Sequence, residues 1–157
     1  MDPLEIFSAY TGKWQGTNRL QNPNTNAAED SQSKFALTPI LLGKFIRADY
    51  TWDSLGKPQE GSMLIGYNKE TDETTLHWID TWHNGNSVMV CRGKTDQNGN
   101  ISVFGTFPAP PDPDWGWTIK ITPQRDSINI VMHCVPPEGK GDAFFACEAN
   151  YNRSAEQ

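Results

Sequence analysis

The sequence predicts an all-β fold: about ten antiparallel strands in an up-and-down β-barrel, entered through one short N-terminal helix. Three observations predict it. Segments with period-2 alternation, rich in β-branched and aromatic residues, recur along the chain after Gly12, divided by turn signals. A convincing helix start is written only at the N-terminus, so no second helical layer exists to cover a sheet. A sheet of many strands without such a cover removes its exposed edges by closing on itself.

The elements follow in order. Asp2 is placed to cap the helix, Pro3 suits its first position, and Glu5 stands where a capping box wants an acid. Leu4, Ile6, Phe7 and Tyr10 supply an apolar face, and Gly12 ends it. Strands are expected near residues 13–21, 31–37, 44–52, 60–67, 74–83, 87–93, 101–107, 116–122, 127–135 and 143–152. Residues 22–34 are polar, which leaves the second strand open to a loop reading.

Two turns set the expected register. Asn84-Gly85 and Asn98-Gly99 are two-residue type I′ hairpin signals, because both central positions of that turn need φ > 0. The first pairs His83 with Asn86, which puts Asp80 opposite Met89 and Trp78 opposite Cys91. The second carries the same face on to Phe104 and Thr106. One face of this meander then shows Leu76, Trp78, Asp80, Trp82, Met89, Cys91 and Phe104. The other shows His77, Ile79, Thr81, His83, Val88, Val90, Arg92, Lys94 and Asp96. The second face holds nearly all the charges, so the indole-rich first face is expected inside.

Charge and composition narrow the function classes. With 19 acidic and 13 basic residues the formal charge is −6, and no two Lys or Arg are adjacent. Nucleic acids and anionic membranes both need clustered Lys/Arg, so neither is expected as a partner. The longest apolar run, residues 143–147, is far short of the ~20 residues of a membrane span. Met1-Asp2-Pro3-Leu4-Glu5 has no basic flank and no signal-like apolar stretch, so a cytoplasmic location is expected. Cys91, Cys134 and Cys147 include no CxxC pair, which encodes neither a disulfide framework nor a zinc ribbon. The 157 residues make one domain, with a core that six Trp and four Tyr help to fill.

Gly12-Lys13-Trp14-Gln15-Gly16, opening the first strand after a short helix, resembles the G-x-W signature of the calycin superfamily. Lipocalins, fatty-acid-binding proteins, avidins and nitrobindins share that kind of barrel. Arg153 matches the basic residue that in lipocalins packs across that Trp. Gly61-Ser62-Met63-Leu64-Ile65-Gly66-Tyr67, followed by Trp78-Ile79-Asp80-Thr81, is similar to the bacterial family catalogued as domain of unknown function 1579. The resemblance runs from about Phe7 to Arg153 and implies a calycin-like barrel. It implies no activity.

The candidate site residues fall into two groups. Trp14 and Arg153 are expected to plug one barrel end, the guanidinium stacked on the indole, and Gly16 to relieve crowding there. Trp78, Asp80 and Trp82 are expected to line a ligand cavity with Met89 and Cys91. Trp115 and Trp117 would sit near its mouth, after a stiff proline-rich stretch, residues 108–114, that serves as connector or lid. An inward carboxylate must be paired, hydrogen-bonded or facing a wet cavity. Asp80 therefore orients a ligand head, or else accepts indole, Tyr or Arg donors inside a filled barrel. The apolar segment Pro39-Ile40-Leu41-Leu42-Gly43 covers one end or docks a second subunit, so a homodimer is among the partners considered.

No metal or cofactor is expected. His77 and His83 lie ~20 Å apart along one strand, too far to share an ion. His133 stands on an outward face beside Cys134. Nitrobindins hold haem iron through a His near the barrel end, and the final strand here contains none. Catalytic motifs such as G-x-S-x-G are absent, and an Asp80–Glu148 carboxylate pair is the geometry that would point to a hydrolase or isomerase. The expected function is binding of a small apolar or amphipathic molecule inside the barrel. The alternatives are a filled barrel acting as dimer or scaffold, and a small hydrolase or isomerase using the same cavity.

Overall fold

The computed structural model describes residues 1–155. Asp2 caps helix α1 (Pro3–Phe7), its carboxylate accepting from the Leu4 amide, and a single 3-10 turn, Ser8–Tyr10, leads into the sheet. Ten antiparallel strands follow: β1 (Gly12–Asn22), β2 (Ala27–Ile40), β3 (Phe45–Ser54), β4 (Lys57–Asn68), β5 (Glu73–Asp80), β6 (Met89–Thr95), β7 (Ile101–Ala109), β8 (Asp112–Pro123), β9 (Ser127–Val135) and β10 (Phe144–Arg153). Each pairs with its neighbours in sequence, and β1 pairs with β10 to close the barrel. No helix among the described residues is long and apolar enough to cross a membrane.

Of the polar stretch of residues 22–34, residues 27–34 are strand and residues 23–26 form the turn that joins it to β1. β1 and β2 pair out to Asn22↔Ala27, and the inward positions there are polar (Asn22, Glu29, Ser31), so no apolar alternation marks the strand. The proline-rich stretch also differs from a free lid. Residues 107–115 form the end of the β7–β8 hairpin, turning at Pro110-Pro111, with Ala109 opposite Asp112.

Neither Asn-Gly pair makes a type I′ turn, because only the glycine of each has φ > 0. In both cases a preceding aspartate captures the next backbone amides and rebuilds the turn. Asp80 accepts from the amides of Trp82 and His83, so β5 stops at Asp80 and residues 81–88 form a loop. Trp78 therefore lies opposite Met89 and Leu76 opposite Cys91. The pairing slips by two residues from the expected one, and a two-residue slip keeps every side chain on its face. Asp96 likewise accepts from the amides of Asn98 and Asn100. The resulting three-residue loop, with Gly99 at φ +84, shifts the register by one and flips the face. Val103 is buried, and Phe104, expected inside, is exposed.

A bulge acts the same way in β10. The pairs Phe145↔His133 and Cys147↔Met132 leave Ala146 unmatched, after which Cys147, Ala149 and Tyr151 point inward. Glu148 consequently faces out, held by Asn129 beside Arg19, and forms no pair with Asp80. That removes the carboxylate-pair route to a hydrolase.

The closed end is built from α1, Trp14 and Arg153. Trp14 is buried and donates its indole N–H to the Tyr10 carbonyl. The Arg153 guanidinium lies 4.5 Å from the Trp14 ring centroid and donates to the carbonyls of Thr11 and Ala9. Arg153→Met should lose about 1–2 kcal/mol, the sum of an exposed cation–π contact and hydrogen bonds to two carbonyls. Thermal unfolding checks this, and Arg153→Lys should recover only part of the loss, because an ammonium lacks the planar fork.

Candidate functional site

The opposite end is the mouth, and Asp80 organises it. Its side chain is 1% exposed, and β5 alternation turns it inward beside Trp78 and Leu76. One carboxylate oxygen accepts from Tyr50 Oη at 2.7 Å and Trp52 Nε1 at 3.3 Å. The other accepts from the amides of Trp82 and His83 and lies 3.0 Å from His83 Nδ1. Trp78 Nε1 donates to Tyr50 Oη, a second link between β5 and β3. Burial alone pushes the Asp80 carboxyl up, but the hydrogen bond and charge of His83, with the Tyr50 bond, outweigh it and hold the group below the usual carboxylate range. Burial and the adjacent Asp80 charge drive the Tyr50 phenol well above its ordinary value, so it stays neutral.

His83 was expected to face solvent with the charged side of the meander. The Asp80 turn ends the strand before it, so alternation no longer applies, and its side chain is only 11% exposed. The imidazole sits among four indoles, with ring centroids 5.7 Å from Trp52, 5.1 Å from Trp78, 4.7 Å from Trp82 and 5.6 Å from Trp117. Trp78 and Trp117 stack at 5.3 Å. Two buried side-chain nitrogens have no hydrogen-bond partner among the described residues: His83 Nε2 and Trp117 Nε1. Both belong to this cluster.

Two cavities meet at His83 and Trp78. The inner one, about 30 Å³, is bounded by Tyr50, Trp52, Asp80, Cys147 and Tyr151 among others, and has room for about one water. Most of the barrel interior is filled by side chains. The outer one, about 280 Å³, opens at the mouth between the loop of residues 81–88 and the ends of β7 and β8. Met89, Val88, Thr106, Phe107 and Trp117 line it with His83. It opens there because the β6–β7 ladder is short, running only from Thr95↔Ile101 to Arg92↔Phe104. A larger depression, about 760 Å³, lies on the outer wall of β1–β5, with Lys13, Lys34, Asp49 and Glu60 on its rim. It contains neither of the unpartnered nitrogens.

Of the residues singled out from sequence, Trp78, Met89 and Trp117 line the mouth pocket, and Asp80 stands behind His83. Trp82 is half-buried against Trp52 and His83. Trp115 lies on the rim, its indole N–H toward Asp112 and its ring edge-on to Phe144. Cys91 is fully buried under Gly105, with its thiol pushed up to about 11 by burial, a packing position with an unreactive sulfur. Sequence reasoning passed over Tyr50, Trp52 and His83. Tyr50 and Trp52 carried a signal, the inward alternation with Ile46 and Ala48 along β3. His83 carried one too, as the third residue after an aspartate able to form a side-chain turn.

Solved structures share this fold. The crystal structure of Rv2717c from M. tuberculosis superposes with a TM-score of 0.63 at 12% identity, covering 97% of this chain and 97% of that one. The S-type phycobiliprotein lyase CPES from Guillardia theta gives a TM-score of 0.63 at 14% identity, covering 100% of this chain and 95% of that one. At such identities the likeness is one of fold, a calycin-like barrel. No curated protein matches the chain. The model of the family described as protein of unknown function, DUF1579, matches residues 2–153, and the chain belongs to that family.

Proposed function

We propose that this protein binds a small, flat, apolar or amphipathic molecule at the barrel mouth. The observation that supports this most directly is the pair of unpartnered buried nitrogens, His83 Nε2 and Trp117 Nε1, beside a cavity of about 280 Å³. Leaving buried polar groups unsatisfied costs about 1–3 kcal/mol each, a cost that a bound molecule with matching polar atoms recovers. Trp78, Trp117 and Met89 supply contact area, Trp82 and Trp115 flank the site, and Asp80 acts through His83. Cys91 backs the wall without touching the ligand. The fold is shared with a phycobiliprotein lyase, which is consistent with small-molecule binding and sets no ligand for this chain.

The test uses 1-N-phenylnaphthylamine, whose fluorescence rises in apolar pockets. Binding should be saturable and should quench the indole emission. Val88→Trp, which fills the pocket from an exposed loop position, should weaken binding about tenfold or more, some 1.4 kcal/mol, with the thermal midpoint little changed. Native mass spectrometry of gently purified protein reports any retained molecule and the subunit count together. No probe binding and no retained mass would leave a filled barrel that works through its outer surface.

A further inference from the structure

We propose that the Asp80–His83 pair makes the mouth pocket a receptor for weak acids: small planar molecules with a phenol, enol or comparable X–H group whose proton His83 Nε2 accepts. This rests on the reading of the mouth as a ligand site and goes beyond it by naming the ligand chemistry.

The direction of the polar groups leads to this class. An ionised carboxylate only accepts, so His83 Nδ1, 3.0 Å from Asp80 Oδ1, carries the ring proton. In the neutral imidazole Nε2 is then left with a lone pair, and the proton that a ligand gives it makes the cation. Two of the nearby indole donors are already used, Trp52 on Asp80 and Trp78 on Tyr50. The buried side-chain groups left unmet among the pocket-lining residues are one acceptor, His83 Nε2, and one donor, Trp117 Nε1–H. An aprotic ligand leaves the acceptor unmet.

Proton transfer also suits the surroundings. The X–H bond breaks, an Nε2–H bond forms, and the electron pair stays on X. The imidazolium then lies between the Asp80 carboxylate and the ligand anion, and the three groups keep a total charge of −1 throughout. Asp80 stabilises that cation directly, and the surrounding ring system of Trp52, Trp78, Trp82 and Trp117 offers π-faces within reach. The other titratable groups on the inner cavity are Tyr50 from β3 and Cys147 and Tyr151 from β10, all kept neutral by burial, the thiol pushed up to about 12. The mouth residues from β6, β7 and β8 (Met89, Thr106, Phe107, Pro108 and Trp117) carry no charge. Asp80 is thus the charge that faces the imidazole among the described residues, and it is a positioning residue for His83.

The experiment compares p-nitrophenol with its methyl ether, 4-nitroanisole, which matches it in shape and lacks the proton. At a pH where free p-nitrophenol is mostly protonated, the bound phenol should show the nitrophenolate absorption band. Its ionisation midpoint should fall by about one pH unit or more, and it should bind about tenfold tighter than the ether. His83→Gln should bring the phenol-to-ether ratio toward one and remove the band. Equal binding of both probes with the phenol un-ionised overturns the proposal while the pocket reading stands. A full ratio retained in His83→Gln also overturns it. If neither probe binds while 1-N-phenylnaphthylamine does, this inference falls and the pocket reading stands; if none of the three binds, both fall.

Discussion

Asp80→Ala should destabilise the protein by about 3–5 kcal/mol, the range for removing one member of a buried, hydrogen-bonded charge network. The substitution strips the acceptor from Tyr50 Oη, Trp52 Nε1, His83 Nδ1 and the amides of Trp82 and His83. Each orphaned donor costs about 1–3 kcal/mol, less where water can enter through the mouth. For a chain of this length the thermal midpoint should drop by roughly 6–20 °C. Asp80→Asn, which keeps one carbonyl acceptor, should lose less.

The same carboxylate gives an acid signature. Its folded pKa lies below the ordinary range, so its contribution is complete above about pH 4, the unfolded carboxylate value, and fades as pH falls through the lower folded value. The acid limb of the stability profile should therefore be shallower in Asp80→Asn. It should not be flat, since Asp72, lowered to about 2, and Asp96 contribute in the same direction. A change below 1 kcal/mol in Asp80→Ala would show that the loop of residues 81–83 is held by something else.

Gly16→Ala should be the most damaging small substitution in the barrel wall. A Cβ at Gly16 would stand 1.7 Å from the Asn150 carbonyl oxygen and 2.7 Å from its carbon. Gly16 lies opposite Tyr151 in the ladder that joins β1 to β10 and closes the barrel. Backbone meets backbone there, so relief requires parting the seam. We expect a loss of about 3 kcal/mol or more, at the upper end of overpacking costs, with amide exchange accelerated along β1 and β10 and less elsewhere. Gly85→Ala is the control. Its φ of +56 imposes strain, but nothing lies within 4 Å of the added carbon, so about 1–2 kcal/mol is expected. Equal losses in the two variants would mean the seam tolerates the carbon.

Strand number, the inward indole face, the N-terminal cap and the Trp14–Arg153 juxtaposition were all legible from residues alone. Each follows from a local rule: alternation, capping chemistry, or a motif that opens the first strand. Register was less legible. Asn-Gly is a strong hairpin signal, yet Asp80 and Asp96 each offered the backbone a competing acceptor before it, and side-chain turns won both times. At Asp80 the slip was even and harmless. At Asp96 it was odd and sent Phe104 outward.

His83 shows where reading a linear chain stops. Period-2 alternation put it with the solvent face, which holds only while the strand continues. Once Asp80 ends β5, the direction of His83 is set by contacts from β3, β5 and β8, brought together when the barrel closes. The alternation of apolar residues is a property of neighbours along the chain, so it identified the barrel and its indole lining. The unpartnered imidazole and the pocket at the parted β6–β7 ladder depend on distances between segments far apart in sequence, and only the folded arrangement sets those.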